Sequence, residues 1–239
     1  MTLILRSAAA TDLGMVRANN EDSAFAGRRL AVVADGIGGA PAGEAASDIV
    51  IRAVSPLDTL PELDEPAQQL RAALTEANQR ILKAIEEHPA HEGMGTTVTM
   101  LLLHGETATV LHVGDSRGYL LRGDQLHQVT KDDTLVQSLV DQGLLEQSEA
   151  RHHPQRSIIT QAVQGLDVEP ARYVFPVELG DRFLLCSDGL SDIVTDDTIG
   201  RTMLTHPDPL DCAEQLVRLA LRAGAPDNVT VVIANVVEV

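Results

Sequence analysis

The stretch Leu30 to Gly39, LAVVADGIGG, constrains the fold of this chain more than any other. Leu30 to Ala34 is an unbroken apolar run, the mark of a strand covered on both faces. It stops at Asp35, followed at once by Gly36, Ile37, Gly38 and Gly39. A carboxylate at the tip of a buried strand is costly unless something pairs it, and a divalent cation is a common partner. The glycines let the backbone turn sharply and pass close to a ligand, so that a main-chain carbonyl can join in. One such strand end is usually an ordinary Asp-Gly turn. This one recurs. Phe183 to Ser187 is a second apolar run, ending in Asp188-Gly189 with Asp192 four residues on. Val110 to Val113 ends in Gly114-Asp115, and Asp227-Asn228 stands at the mouth of Val229 to Ile233. An oxygen-ligand metal site assembled from several strands explains these four strand ends together.

The rest of the pattern predicts antiparallel sheets. Leu3 to Thr11 is an opening strand, Gly14 a turn and Ser23 to Ala26 a short strand. Gly43 to Val54 has helical spacing, as does Pro66 to Glu87, whose Leu70, Leu74, Ala77, Ile81 and Ile85 share one face. Ser55 to Pro66 between them is a loop. Val98–His104, Thr107–Val113, Gly118–Arg122 and Leu126–Val129 follow as strands, with tight turns at Gly105 and Gly123. Consecutive hairpins predict a meander, not a doubly wound sheet. Thr134–Gly143 and Ser148–His152 are short helices before the polar stretch His153–Arg156, and residues 131–165 are expected to form a flap over the site. Arg172–Pro176, Arg182–Ser187 and Asp227–Val236 return to strand, with helices at Asp196–His206 and Pro209–Ala223. The expected class is α+β, a sandwich of two antiparallel sheets flanked by helices on both sides, in one domain over residues 1–239.

Composition narrows the function. A net charge of −17, with no basic cluster longer than Arg28-Arg29, argues against nucleic acids and anionic membranes as partners. No run reaches the length of a membrane span and the N-terminus lacks a signal pattern, so a cytoplasmic location is expected. Cys186 and Cys212 fit a reducing compartment without a disulfide framework, and Cys186 reads as core packing.

In order, the chain carries R-x-x-N-E-D from Arg17 to Asp22, then ADGIGG, GMGTT, HVGDSRGYL, SDGLSD and PDNVTVV. Each motif alone is weak. All of them in register, from Thr11 to Ile233, resemble the metal-dependent protein phosphatases of type 2C (the PPM family), most of all its bacterial branch. The resemblance implies an α-β-β-α sandwich and two tightly bound Mn²⁺ or Mg²⁺ ions bridged by Asp35. Asp188 and Asp227 would complete the first ion's ligands, and Glu21 with the Gly36 carbonyl would hold the second. Asp22 would hydrogen-bond metal-bound water. A third, weaker ion would take Asp115, Asp188 and Asp192. Arg17 matches the arginine that grips the substrate phosphate; a surface salt bridge to Glu21 or Asp22 is its bland alternative.

These residue types suit the chemistry. Mg²⁺ and Mn²⁺ favour hard oxygen ligands and keep several waters. Two cations sharing a water lower its pKa and supply the hydroxide for in-line attack on phosphorus, so no side-chain nucleophile is needed. The planar fork of Arg17 matches two phosphate oxygens in a way a lysine does not. One position departs from the family. Eukaryotic members carry a histidine two residues after the bridging aspartate, and many bacterial relatives carry one just past the glycine pair. Here these positions are Ile37 and Ala40, which leaves protonation of the departing alcohol to metal-bound water or to His152 or His153 of the flap.

The reading implied is a monomeric protein serine/threonine phosphatase acting on phosphoproteins, including a Ser/Thr kinase, in the bacterial cytoplasm or as the cytoplasmic domain of a longer membrane-anchored protein. A phosphatase for a phosphorylated sigma-factor regulator keeps the site but normally brings a fused sensor domain. A binding module that recognises phosphoproteins without turnover is the alternative from another class; pseudo-enzymes usually lose a metal carboxylate, and here every matching position is intact. An acidic surface disfavours a two-metal nuclease.

Overall fold

In the computed structural model of the chain, which describes residues 2–39, 42–60 and 65–239, the apolar runs become strands and the amphipathic stretches helices. The first part of the chain forms β1 (Leu3–Asp12), β2 (Ser23–Ala26), β3 (Leu30–Ala34), the two-residue β4 (Gly36–Ile37), α1 (Ala42–Val54) and α2 (Pro66–Glu87). Next come β5 (Gly95–Thr96), β6 (Val98–His104), β7 (Thr107–Val113), β8 (Arg117–Arg122) and β9 (Gln125–Gln128). The flap helices α3 (Leu135–Asp141) and α4 (Gln147–Ala150) precede β10 (Ala171–Pro176) and β11 (Arg182–Cys186). A short α5 (Asp188–Ser191), then α6 (Asp196–Thr205), α7 (Pro209–Arg222) and β12 (Val229–Glu238), complete the chain. Ala40 and part of the predicted loop, residues 61–64, lie outside the described residues.

Local chemistry sets the helix starts. Proline opens α2 and α7, where its missing N–H costs nothing. The Asp208 carboxylate accepts from the backbone of Leu210 and Asp211, and Thr134 and Thr195 cap α3 and α6 in the same way.

Two five-stranded sheets face each other, one in the order β1-β12-β11-β8-β9 and the other β10-β7-β6-β3-β2. Three apolar clusters glue four layers. Leu5, Val33, Leu101, Phe183 and Val232 pack between the sheets. Val50, Leu74 and Ile81 of α1 and α2 pack on Val32, Met100 and Leu111 of the second sheet. On the other side, Ile199, Leu216 and Val217 of α6 and α7 cover Leu184, Val231 and Ile233. The α-β-β-α arrangement is the one expected. Cys186 and Cys212 are buried free thiols within the last of these clusters.

Antiparallel pairing carries the aspartates to one end of the sandwich. β3 and β7 both run antiparallel to β6, so their carboxyl ends, before Asp35 and Gly114-Asp115, point the same way. β11 runs against β12, which puts Asp188 next to Asp227. Asp12 pairs with Val229 and Ser23 with Ala34, so the segment from Leu13 to Asp22 emerges at that same end.

The predicted meander is corrected. β6–β7 and β8–β9 are hairpins, but β7 and β8 do not pair: they belong to opposite sheets. The chain crosses the sandwich through Gly114-Asp115-Ser116, and Ser116 stays tied to β6 of the sheet it leaves, its carbonyl accepting from Thr99 Oγ1 (2.8 Å). This crossing is what leaves Asp115 at the sandwich end. Two further elements were not anticipated, the β4–β5 ribbon and α5.

Candidate metal centre

At that end lies an open cleft of about 250 Å³, lined by Arg17, Glu21, Asp35, Asp115, Asp188 and Asp227, with the Gly36–Gly39 turn on one wall and Ser157 and Ile159 of the flap on another. Asp22 lies just beneath it. Asp115 and Asp188 also line a neighbouring cavity of about 220 Å³, and Asp192 joins them there. The nine positions singled out in the sequence are thus brought to one end of the molecule.

Neighbouring residues hold most of the segments that carry these carboxylates. The backbone of Asp35 is fixed by Thr96 and Thr97: its carbonyl accepts from Thr96 Oγ1 (2.8 Å) and Thr97 N (2.9 Å), and its N–H donates to Thr97 Oγ1 (3.2 Å). The Glu21 N–H donates to Asn228 Oδ1 (2.9 Å), and its carbonyl accepts from Ser47 Oγ (2.7 Å). A Cβ at Gly43 would stand 2.0 Å from Glu21 Oε2 and would displace that carboxylate. Asp188 opens α5, so Asp192 follows one turn later, its N–H donating to the Asp188 carbonyl (2.8 Å). Ser187 Oγ donates to Asp22 Oδ2 (2.8 Å) and accepts from Thr230 N (2.9 Å). Sequence reading missed Asn228, Ser187, Ser47 and Thr97. Ser187, Asn228 and Thr97 sat inside the SDGLSD, PDNVTVV and GMGTT motifs, the signal that could have found them, whereas Ser47 sat in none.

The cluster repels itself. Burial, then Asp22, Asp188, Asp115 and Asp227, drives the Asp35 carboxyl well above its usual range. Burial, then Asp115 and Asp192, does the same to Asp188. Asp115 is pushed up to about 7 by burial and by Asp132 and Asp192, and Asp22 to about 6 by burial, against the pull of its hydrogen bonds. Burial raises Glu21 too, opposed by Arg17. Arg17 does pair with a carboxylate, but with Asp227 (2.6 Å), 210 residues away, and not with Glu21 or Asp22. Arg156 of the flap pairs with Asp192 (3.1 Å).

Hard divalent cations fit this donor set. It is all oxygen, it carries charge that burial and mutual repulsion leave uncompensated, and Asp22 Oδ1 is buried with no hydrogen-bond partner. Among the described residues, no three His, Cys, Asp or Glu side chains close on one point as a ready-made cage. Among the described residues that line the cleft there is no histidine.

The fold and the cleft define a class: an α-β-β-α sandwich with an acidic, strand-end centre facing one arginine. The model of the family Protein phosphatase 2C matches residues 16–224. The chain belongs to this family. It is 52% identical over 242 residues to serine/threonine protein phosphatase PstP of Mycobacterium tuberculosis, covering 100% of this chain and 46% of that protein. It thus spans about half the length of that relative. Protein phosphatase PhpP of Streptococcus pneumoniae is 37% identical over 237 residues, covering 95% of this chain and 96% of that one. The crystal structure of the PstP catalytic domain in complex with two manganese ions superposes with a TM-score of 0.93 at 49% identity, covering 99% of this chain and 100% of that chain. No helix among the described residues is long and apolar enough to cross a membrane.

Proposed function

We propose that this chain is a protein serine/threonine phosphatase that uses two divalent cations, Mn²⁺ or Mg²⁺, and a weaker third. The observation that carries the reading is the convergence of five carboxylates and one guanidinium on a single open cleft. In this reading Asp35, Asp188 and Asp227 would hold the first ion, Asp35, Glu21 and the Gly36 carbonyl the second, and Asp115, Asp188 and Asp192 the third. The ions supply activation of a water for in-line attack on phosphorus.

The chain's own residues do the rest. The Arg17 fork, held at the cleft by its pairing with Asp227, takes two phosphate oxygens and fixes the phosphorus for that attack. Ser187 occupies Asp22 Oδ2 and leaves Oδ1 free to accept a hydrogen bond from water in the centre. Ile37 and Ile159 give the wall no titratable group, so the departing alkoxide takes its proton from water. Residues 1–239 act as one catalytic domain, a monomer with residues 131–165 as its flap, on the cytoplasmic side. A Ser/Thr kinase is among its phosphoprotein substrates.

The test is hydrolysis of a phosphothreonine peptide with Mn²⁺, with EDTA and with Asp35→Asn. Turnover that requires Mn²⁺ and is lost in the variant is expected. Turnover that persists in EDTA, or in the variant, overturns the assignment.

A further inference from the structure

Two large apolar side chains stand in solvent immediately before Arg17: Met15 is 66% exposed and Val16 74%. Single exposed apolar residues are common on any surface, but these two sit on a turn that cannot fold inward. Gly14 adopts φ +73°, and a Cβ there would come 2.0 Å from the Asp227 carbonyl oxygen. Its N–H donates to Asp12 Oδ1 (3.0 Å), and the Met15 N–H donates to the Ala225 carbonyl (2.8 Å). Asn228 Nδ2 donates to the carbonyls of Leu13 (3.0 Å) and Asn19 (2.9 Å), closing the other side. The turn is therefore fastened to the strand end that carries Asp227, with its apolar tips held outward.

The flap segment at the cleft also carries apolar side chains and is also fixed. Ile159 lines the cleft and Ile158 is 46% exposed. Their segment is pinned where the Ile158 carbonyl accepts from Leu135 N (2.8 Å) and Thr160 N donates to the Asp133 carbonyl (2.7 Å). The cleft thus has an acidic floor with an apolar flap residue on one wall, and an exposed apolar turn adjoins its arginine.

Resting on the phosphatase reading, we propose that Met15 and Val16 form a lip that receives the side chain next to the phosphorylated residue of a protein substrate. The chain then favours phosphoserine or phosphothreonine flanked by a large apolar residue. Val16 adjoins Arg17 in the chain, so the exposed turn stands beside the residue that takes the phosphate. Charge sets a separate condition: five carboxylates line the cleft and the chain carries −17, so an acidic neighbour is repelled, and between neutral neighbours the apolar turn favours a large apolar residue over a small polar one.

The experiment compares the Mn²⁺-loaded protein on two phosphothreonine peptides, flanked by leucine or by serine, with p-nitrophenyl phosphate as a substrate that has no neighbour. A preference of about tenfold in kcat/KM for the leucine peptide is expected, the size that follows from burying part of one large apolar side chain. The double variant Met15→Ser, Val16→Ser should erase it through KM, with kcat retained, whereas Met15→Leu should keep it. Equal turnover of both peptides by the wild type, or a preference that survives in the double variant, overturns the inference while p-nitrophenyl phosphate hydrolysis leaves the phosphatase reading standing. Turnover of none of the three substrates overturns both.

Discussion

Asn228→Ala tests how the Arg17–Glu21 segment is held. Asn228 is 5% exposed and its side chain makes three hydrogen bonds to backbone: it accepts from Glu21 N (2.9 Å) and donates to the carbonyls of Leu13 (3.0 Å) and Asn19 (2.9 Å). Each such bond is worth about 1 kcal/mol net, and backbone groups left unpaired add to the loss, so truncation should cost about 3–4 kcal/mol. Urea unfolding in EDTA reads this without the contribution of bound metal. The same truncation frees the segment carrying Glu21 and Arg17. The Mn²⁺ concentration needed for half-maximal turnover of p-nitrophenyl phosphate should then rise more than kcat falls. Asn228→Asp keeps the acceptor for Glu21 N but turns a carboxylate toward two carbonyls, so it should be at least as damaging. A loss below about 1 kcal/mol with an unchanged Mn²⁺ requirement would refute the reasoning.

In EDTA, stability should fall as pH rises from about 5 to about 7.5. Asp22 at about 6 and Asp115 at about 7, both against 3.8, keep the folded state more protonated than the unfolded one across that window. Their ionisation removes about 4 kcal/mol, and Asp35 and Asp188 act in the same direction. Mn²⁺ should reverse the trend, and a flat or rising profile in EDTA contradicts it. Gly43→Ala places a Cβ against the Glu21 carboxylate, and Mn²⁺ titration calorimetry should lose the ion that Glu21 holds while the other is retained. Arg17→Lys should raise the phosphopeptide KM by roughly tenfold, because a lysine cannot present two parallel N–H bonds to a phosphate.

Much of the fold was legible because local signals agreed with each other. α2 reads directly from Pro66 at its start and its apolar face, and Val98–His104 and Thr107–Val113 match the β6–β7 hairpin residue for residue. The crossing at Gly114-Asp115-Ser116 was not legible. Three residues between two apolar runs look the same whether the strands pair or pass to opposite sheets, and only long-range packing decides. The four-residue α5 is too short to show a period, and the β4–β5 ribbon needs a partner some 60 residues away. Within the site, the aspartates announced themselves as charges at the ends of buried strands. Their supports did not: Ser187 and Asn228 are small polar residues whose role rests on contacts with Asp22 and Glu21, far along the chain. The pairing of Arg17 with Asp227 is hidden for the same reason.

The central claim is that Asp35 joins two cations in this cleft. Anomalous diffraction at the manganese edge, from crystals grown with Mn²⁺, tests it most directly. The account predicts two strong peaks sharing Asp35, one beside Asp188 and Asp227 and the other beside Glu21 and the Gly36 carbonyl. A single peak, peaks away from Asp35, or none at all would contradict it.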